Sequence, residues 1–240
     1  MYRSLSVAAI APVFDEASRI GAVVRRTPRD VVDVLLVVDD ASTDGSAAVA
    51  RQAGAEVISL ARRSGVGAAI RVGYREALAR GADVAVVMAG NDKDAPEEIP
   101  MLLDPIADGR ADFVQGSRYA GGPRARGDMP RHRRFGTRLH PLVFSWVAGR
   151  RVSESTNGFR AVHRRVLEDA RLDLDQPWLD GYALEPYLYL RAIRLGHRTA
   201  EVPVTKIYPP RSQGQTKMRP VTDWWAMLKP LVLVALGIRR

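Results

Sequence analysis

The sequence predicts an α/β fold in which a mostly parallel β-sheet carries helices on both faces. Continuous apolar runs of strand length recur through the first half of the chain, and polar turns and helical segments follow them. Because these runs do not alternate with polar residues, they are typical of strands buried on both faces. Ligands bind such sheets beyond the carboxyl ends of the strands, so the turns after the apolar runs are the candidate site.

The clearest apolar run covers residues 34–38, reads VLLVV, and is followed directly by Asp39 and Asp40. Two carboxylates at this position can accept hydrogen bonds from a base or a ribose. The alternative interpretation is that they serve only as turn and capping residues. Ser42 or Thr43 is expected to cap the alanine-rich helix that follows.

The other strands of the first half are predicted from similar apolar runs. They cover residues 4–13, 56–60, 83–88 and 111–116. Helices are predicted over 17–26, within 62–81 and from Pro96 onward. Gly65 and Gly67, at the start of the second of these helices, allow the backbone to approach a ligand closely, although a simple helix-start turn is the alternative.

Beyond about residue 140 the regular alternation ends. Helices are predicted over 142–147 and 178–196, and a strand over 199–204. A polar turn, a short strand and a helix are predicted within 152–167, and a long basic loop over 206–220.

The formal net charge of +9 favours phosphates, nucleic acids or an anionic membrane surface as partners. Basic residues crowd one stretch, which we predict to be a loop; they are Arg124, Arg126, Arg131, Arg133, Arg134 and Arg138. Zinc-finger spacing, an RNA-binding aromatic signature and a basic tail are all missing from the sequence, so nucleic acid is not an expected partner. The chain has no cysteine, which excludes disulfides, thiolate metal sites and a cysteine nucleophile.

The two ends of the sequence bear on location. The N-terminal residues lack the basic region and apolar core of a signal peptide, so a cytoplasmic location is expected. Near the other end, Trp224 and Trp225 precede an apolar run and are flanked by basic residues, a pattern typical of an interfacial membrane anchor. A peripheral position on the inner face of the cell membrane is therefore expected. The alternative is a helix that closes the core or makes a homodimer contact.

Several motifs follow one another along nearly the whole chain. They are PVFDE, VVDDASTDGS, SGVGAAIRVG, the acidic loop before PEEIP, GSRYAGG, STNGFRAVHRRVL, GYALEPYLYLRA and YPPRSQGQTK. In this order and spacing they resemble the family-two glycosyltransferases of the GT-A fold, and within them the dolichol-phosphate mannose synthase-like, polyprenyl-phosphate branch. The resemblance implies inverting transfer of a sugar from a UDP- or GDP-sugar to a polyprenyl phosphate, with Mg²⁺ or Mn²⁺ as cofactor.

The resemblance also implies the organisation of the chain. One GT-A domain is expected over residues 1–220, with a nucleotide-sugar-binding half over 1–117 and an acceptor half over 118–220. An amphipathic C-terminal helix is expected over 221–240.

Site roles are carried over where the motifs match. The residues expected to bind the nucleotide sugar are Pro12, Phe14, Glu16, Val38, Asp40, Gly65, Ala89, Gly90, Asn91, Arg211 and Lys217. Catalytic roles are expected for Asp92, Arg118 and Glu154. Acceptor contacts are expected for Arg131, Arg134 and Arg160.

The chain departs from the family where the metal motif, Asp-x-Asp, is expected. The aligned positions are Ala89, Gly90 and Asn91, so both carboxylates are missing. A shifted site made of Asn91, Asp92 and Asp94 would still offer the hard oxygen ligands that Mg²⁺ or Mn²⁺ needs. The sequence leaves open two alternatives, an inactive relative and a metal-independent transferase. The charge clamps of the latter would be Arg118, Arg211 and Lys217.

A second departure is Tyr187, which stands where relatives often carry an acidic residue; Glu185 is nearby but is expected on another helical face. The nature of the acceptor also decides which groups are needed. A hydroxyl acceptor needs a carboxylate base, whereas a lipid phosphate is already ionised and needs positive charge. The arginine-rich stretch fits the second requirement, unless it is only a solvated basic face.

Other functions remain open from the sequence. The same donor could serve a soluble hydroxyl acceptor. A nucleotidyltransferase would share the sheet-edge site but should show a glycine-rich signature near the N-terminus, which PVFDE lacks. A non-catalytic nucleotide-sugar or nucleic-acid binder is favoured only by the missing carboxylates and the charge.

Overall fold

A computed structural model describes residues 1–122, 124–209 and 222–237. Its main sheet has seven strands in the order β3-β2-β1-β4-β7-β5-β8. These strands are β1 (Val7–Val13), β2 (Val34–Asp39), β3 (Glu56–Ser59), β4 (Val84–Val87), β5 (Phe113–Ser117), β7 (Arg160–His163) and β8 (Thr199–Pro203). A separate two-stranded sheet pairs β6 (Ala125–Gly127) with β9 (Lys206–Tyr208).

Helices cover both faces of the main sheet. They are α1 (Ala17–Arg26), α2 (Ser46–Gln52), α3 (Val66–Ala79), α4 (Ile99–Ala107), α5 (Arg131–Ala148), α6 (Arg164–Leu167), α7 (Leu184–Arg194) and α8 (Thr222–Ala235). Short 3₁₀ turns at Pro96–Glu98 and Pro177–Leu179 precede α4 and α7. The predicted α/β fold with a mostly parallel sheet is confirmed, because only β7 runs antiparallel to its neighbours in the main sheet.

Alternate side chains of β1 enter two hydrophobic layers on opposite faces of the sheet. Ala8 and Ile10 enter the layer formed with α3, α5, α7 and α8, whereas Ala9 and Ala11 enter the layer formed with α1, α2 and α4. This alternation explains why the strand sequences are apolar throughout, since both faces of the sheet are covered. The parallel pairing of β1 with β2 and β4 brings the carboxyl ends of these strands to one edge.

The turn after β2 differs from the prediction. Helix α2 begins at Ser46, and neither Ser42 nor Thr43 caps it. Instead Ser42 Oγ accepts a hydrogen bond from the Asp15 N–H at 2.9 Å, and Asp15 Oδ1 accepts one from the Thr43 N–H at 2.9 Å. The predicted capping residues therefore join the turns that follow β1 and β2, because the parallel strands place those turns side by side.

The arginine-rich stretch is not the predicted loop. Most of it forms the first turns of α5, which continues to Ala148 even though Pro141 lies inside it. Ser145 Oγ donates to the Pro141 carbonyl at 2.6 Å within this part of the helix. The predicted helix over 178–196 likewise begins only at Leu184, after the 3₁₀ turn.

Helix α8 packs against the rest of the protein. Leu231 and Val234 enter the same hydrophobic layer as α5 and α7, and Met227 is buried as well. None of the described helices has the length and apolar character that crossing a membrane requires.

Candidate active site

A cavity of about 710 Å³ opens at the carboxyl edge of β1, β2 and β4. Its volume is in the range of ligand sites for small molecules, roughly 300–1,000 Å³. The predicted donor-binding residues that line it are Pro12, Phe14, Glu16, Asp40, Gly65, Ala89, Gly90 and Asn91. Val38 does not line it and is fully buried in the core beneath. Arg211 and Lys217 lie outside the described residues.

Asp40 holds the loop that leads into α3. Its Oδ1 accepts the Ser64 N–H at 2.6 Å, and its Oδ2 accepts the Gly65 N–H at 2.8 Å. Each carboxylate oxygen has a further lone pair, so Asp40 retains acceptor capacity toward the cavity that it lines. It therefore has a structural role in addition to the predicted ligand contact.

Gly65 and Gly67 allow a close backbone approach, but the approach is to the protein itself. A Cβ atom at Gly67 would lie 2.0 Å from the Leu179 carbonyl oxygen, and one at Gly65 would lie 2.4 Å from that of Asp180. The Ala68 N–H donates to the same Asp180 carbonyl at 3.1 Å. These contacts fix the segment before α7 against the start of α3.

This segment and the first turn of α7 supply a wall of the cavity that was not predicted from the sequence. Tyr182 of the segment and Glu185 of α7 both line the cavity. Glu185 Oε1 accepts from Arg160 Nη2 at 2.9 Å, and Arg160 itself is buried and does not line the cavity. Arg160, predicted to contact the acceptor, therefore positions Glu185 from behind the cavity wall.

Phe14 carries a cation on one face of its ring. The Arg63 guanidinium carbon lies 4.0 Å from the ring centroid, a cation–π distance. Both residues line the cavity, so Arg63 adds a positive charge beside the residue expected to hold the base.

The aligned metal-motif positions form a tight turn after β4. A Cβ atom at Gly90 would lie 2.5 Å from Val13 Cγ2 and 2.9 Å from the Pro12 carbonyl oxygen, so this position has room only for glycine. Asn91 Oδ1 is buried and has no hydrogen-bond partner among the described residues. It is one oxygen ligand available to a cation or to a donor group of a ligand.

The two aspartates that should complete the metal site are committed elsewhere. Asp92 Oδ1 accepts from Arg26 Nη1 at 2.6 Å, and Asp92 does not line the cavity. Burial raises the pKa of Asp92, against the opposing effect of Arg26. Asp94 is buried and accepts from Lys206 Nζ at 2.6 Å.

The structure therefore does not bring Asn91, Asp92 and Asp94 together around one point. In the part of the chain described, no three His, Cys, Asp or Glu residues are grouped so that they could hold a metal ion. At the positions of the metal motif, Asn91 offers one neutral amide oxygen, while Asp92 and Asp94 are held by Arg26 and Lys206. These residues do not form the set of several hard oxygen ligands that a divalent metal ion needs.

Among the residues that the structure describes, five basic side chains line the cavity together with the carboxylates Glu16, Asp40, Glu185 and Asp223. The basic residues are Arg19, Arg63, Lys93, Arg133 and Lys206. Burial, together with the positive charges of Arg133 and Lys206, lowers the pKa of Lys93 to about 7. Burial also lowers the pKa of Lys206, against the charge of Asp94. Lys93, Lys206 and Arg133 therefore lie close enough together to influence one another's charge.

Arg118 and Glu154 form a buried ion pair beside the cavity. Arg118 donates to Glu154 Oε2 at 2.5 Å, to the Tyr208 hydroxyl at 2.5 Å and to Thr156 Oγ1 at 3.0 Å. The Thr156 N–H and hydroxyl donate to the other oxygen of Glu154. Thr156 lines the cavity, whereas Arg118 and Glu154 do not. The two predicted catalytic residues therefore support the wall from behind, and their catalytic roles stay a prediction.

Arg131 and Arg134 face away from the cavity. Both are exposed and line a second, open groove of about 430 Å³ on α5, together with Phe135, Arg138, Leu139 and Leu142. Arg133, between them in sequence, turns to the main cavity and lies 5.5 Å from the ring centroid of Tyr208. Helical geometry separates these neighbours, because adjacent residues on a helix do not share a face.

The C-terminal helix α8 closes one side of the cavity. Asp223, Trp224 and Met227 line it. A Cβ atom at Gly136 of α5 would lie 2.3 Å from the Trp224 ring, so Gly136 makes room for that ring. Trp224 is therefore a wall residue, whereas Trp225 is 60% exposed.

Comparison with known proteins gives consistent matches. A family model described as Glycosyl transferase family 2 matches residues 9–170. The chain is 33% identical over 216 residues to polyprenol monophosphomannose synthase of Mycolicibacterium smegmatis, covering 87% of this chain and 79% of that protein. It is 33% identical over 221 residues to undecaprenyl-phosphate mannosyltransferase of Micrococcus luteus, covering 89% and 88%.

Solved structures support the fold. Glucosyl-3-phosphoglycerate synthase of Mycobacterium tuberculosis, in complex with Mn²⁺, UDP and glucosyl-3-phosphoglycerate, aligns with a TM-score of 0.72. The alignment covers 99% of this chain and 82% of that chain, at 22% identity. At this identity the likeness establishes the GT-A fold and not the ligands.

Substitution of Asp40 tests the loop attachment. Asp40→Ala removes the acceptor of two backbone N–H groups, so the free energy of unfolding should fall by about 1–3 kcal/mol. Affinity for a nucleoside diphosphate should fall as well, because the loop of Gly65 loses its fixed position. Chemical denaturation and calorimetric titration measure the two effects. The exposed Asp30→Ala is the matched control, and equal behaviour of the two variants would contradict the assignment.

The buried ion pair gives a second prediction. Glu154→Ala leaves the Arg118 guanidinium buried without its carboxylate, which should lower the free energy of unfolding by about 3–5 kcal/mol. In a double-mutant cycle, Arg118→Met combined with Glu154→Ala should cost less than the sum of the single changes. Additive losses would show that the two side chains do not depend on each other.

Proposed function

The chain belongs to glycosyl transferase family 2, and we propose that it transfers a hexose from a UDP- or GDP-sugar to a polyprenyl phosphate at a membrane surface. One observation carries this proposal: a cavity suited to a nucleotide sugar lies beside a helix whose exposed face is apolar and rich in arginine.

The donor fits the cavity at the carboxyl edge of the sheet. Phe14 and Asp40 offer a ring and a carboxylate to the base and ribose, in the crevice where sheets of this kind bind nucleotides. The diphosphate extends toward the turn after β4, where Lys93, Lys206 and Arg133 supply positive charge.

The reaction needs that charge. The bond between the anomeric carbon and the diphosphate oxygen breaks, and its electron pair leaves with the nucleoside diphosphate. Fixed positive groups stabilise the charge that develops on the leaving oxygen. The acceptor oxygen forms the new bond at the opposite face of the anomeric carbon. The metal that the family resemblance implies lacks a fitting ligand set among the described residues, so the positive charge at the leaving group comes from protein side chains in this proposal.

A phosphate acceptor suits the side chains that are present. A phosphate oxygen is already ionised, so the acceptor needs cations to hold it more than it needs a base. Glu154, the carboxylate that the sequence analysis placed in a catalytic role, is fully buried and already accepts hydrogen bonds on both oxygens. The two relatives named for polyprenol and undecaprenyl phosphate support the same acceptor class.

Helix α5 offers a surface for the membrane that carries such an acceptor. An exposed apolar stripe, the α5 stripe, runs along the helix and consists of Phe135, Leu139, Leu142, Val143 and Trp146. Trp146 is 82% exposed and Phe135 is 69% exposed, which is unusual for such large apolar side chains on a soluble surface. Arg131, Arg134 and Arg138 flank its first turns.

An apolar stripe beside basic residues is typical of a helix that lies in the membrane interface. The exposed Trp225 and Val232 of α8, and Leu236 directly after it, add to this surface, since α8 packs against α5. We therefore assign the membrane contact mainly to α5, with the C-terminal helix as its neighbour. The sequence analysis missed the stripe because it predicted a loop over the first turns of α5.

A soluble hydroxyl acceptor is the second candidate. Glu185 and Asp223 line the cavity, and a carboxylate in that position could remove a proton from a hydroxyl. Glu185 Oε1 already accepts a hydrogen bond from the buried Arg160, so this oxygen is less available to a substrate hydroxyl.

The acceptor is tested by turnover. When the protein is offered a panel of radiolabelled UDP- and GDP-sugars, it should form a lipid-linked sugar from undecaprenyl phosphate in liposomes. Thin-layer chromatography separates and detects the radiolabelled product. Glycosylation of water-soluble hydroxyl compounds alone, with no lipid product, would replace the proposal by the second candidate.

The α5 stripe is tested by vesicle sedimentation. Leu142→Glu with Trp146→Glu should weaken binding to anionic vesicles at least about tenfold, because buried apolar side chains contribute roughly 1.5–3 kcal/mol each. Nucleotide affinity should not change, since neither residue lines the donor cavity. Ala48→Glu with Gln52→Glu adds the same charge on α2, at exposed positions, and is the control. Equal loss of vesicle binding in both variants would show that added negative charge alone weakens binding, and would contradict the membrane contact of the α5 stripe.

A further inference from the structure

We infer that Lys93, Lys206 and Arg133 take the place of the divalent metal ion and hold the donor's diphosphate directly. This inference rests on the proposed nucleotide-sugar donor and deepens it by naming the groups that bind the phosphates.

The side chains at the expected metal position are poor ligands for a metal ion and better suited to binding an anion. Ala89 and Asn91 stand where the family motif has two carboxylates, and only the amide of Asn91 offers an oxygen. Recruiting Asp92 or Asp94 as a ligand would break its ion pair with Arg26 or Lys206. Breaking the pair of Asp94 would be costly, because both partners are buried.

The loop after β4 also places a basic side chain, that of Lys93, in the cavity wall. Lys93 follows Asn91 by two positions, is only 4% exposed and lines the cavity. Its carbonyl accepts the Ile207 N–H at 2.8 Å, which brings β9 against the loop and sets Lys206 beside it. The backbone thus fixes both lysines at one place, at the end of β4.

Basic groups outnumber carboxylates at this place. The basic side chains are Lys93, Lys206, Arg133 and Arg19, and the two carboxylates, Asp94 and Glu16, pair with Lys206 and Arg19. A bound diphosphate would favour the charged form of Lys93. Like charges held together in a buried region repel one another, and a bound diphosphate relieves that repulsion.

Ammonium and guanidinium groups can also stabilise the leaving group, as a metal ion would. When the bond between the sugar and the β-phosphate oxygen breaks, that oxygen receives the electron pair. Charged N–H donors form short, strong hydrogen bonds to phosphate oxygens and stabilise the added charge. No proton needs to move if the acceptor is a phosphate, so the step balances without a further reactant.

The first test compares nucleotide binding with and without metal in the wild-type protein. Calorimetric titration with GDP and with UDP should give dissociation constants in EDTA within about twofold of those in Mn²⁺, because fixed cations supply the charge. If Mn²⁺ lowers the dissociation constant more than about tenfold, or about 1.4 kcal/mol, the inference is overturned, whereas the assignment of the nucleotide site is not. If neither nucleotide binds in either condition, the proposed function fails and the inference fails with it.

The second test removes one cation. Lys93→Met keeps the length and apolar character of the side chain and should weaken nucleoside diphosphate binding in EDTA by about tenfold or more, the loss expected for a charge-assisted contact. Lys93→Arg should recover part of the affinity. Arg75→Met removes a positive charge at an exposed position on α3 and should leave binding unchanged. Unchanged affinity of Lys93→Met, with thermal unfolding showing a folded protein, would overturn the inference.

Discussion

The buried ion pair between Asp94 and Lys206 joins the two halves of the site. Asp94 belongs to the turn after β4, and Lys206 belongs to β9, more than a hundred positions later in the chain. Asp94 also accepts the Ala89 N–H at 2.8 Å through its second oxygen, so one carboxylate fixes both the turn and the strand. Because Asp94 is held in this way, the turn presents Asn91 and Lys93 to the cavity, and a carboxylate cluster cannot form there.

The cavity and the proposed membrane face are parts of one packed unit. Helix α5 contributes Arg133 to the cavity and an apolar stripe to the outside, because residues on opposite sides of a helix face different surroundings. Gly136 lets the Trp224 ring of α8 pack against α5 and close the cavity. Under the proposed function, a lipid phosphate at the outer surface of α5 would enter next to the basic side chains that we propose hold the donor.

Local signals in the sequence were sufficient to predict the edge of the sheet at which the cavity opens. The apolar runs predicted β1, β2 and β4; Pro12 near the end of β1 and Asp40 just after β2 do line the cavity. The sequence could not show that Asp92 and Asp94 would pair with Arg26 and Lys206, since these partners come from distant elements. Nor could it show the inward direction of Lys93 and Arg133, which depends on tertiary packing. A signal for the α5 stripe was present in the spacing of its apolar residues, but the density of arginines favoured a loop.

The most direct measurement is a crystal structure of the complex with a nucleoside diphosphate, grown in the presence of EDTA. The account predicts the base and ribose against Phe14 and Asp40, and the β-phosphate within hydrogen-bond distance of Lys93 and Lys206. The Asp94–Lys206 pair should remain intact. A structure in which the diphosphate lies elsewhere would contradict the account. So would one, grown with Mn²⁺, in which Asp94 has left Lys206 to coordinate a metal ion beside Asn91.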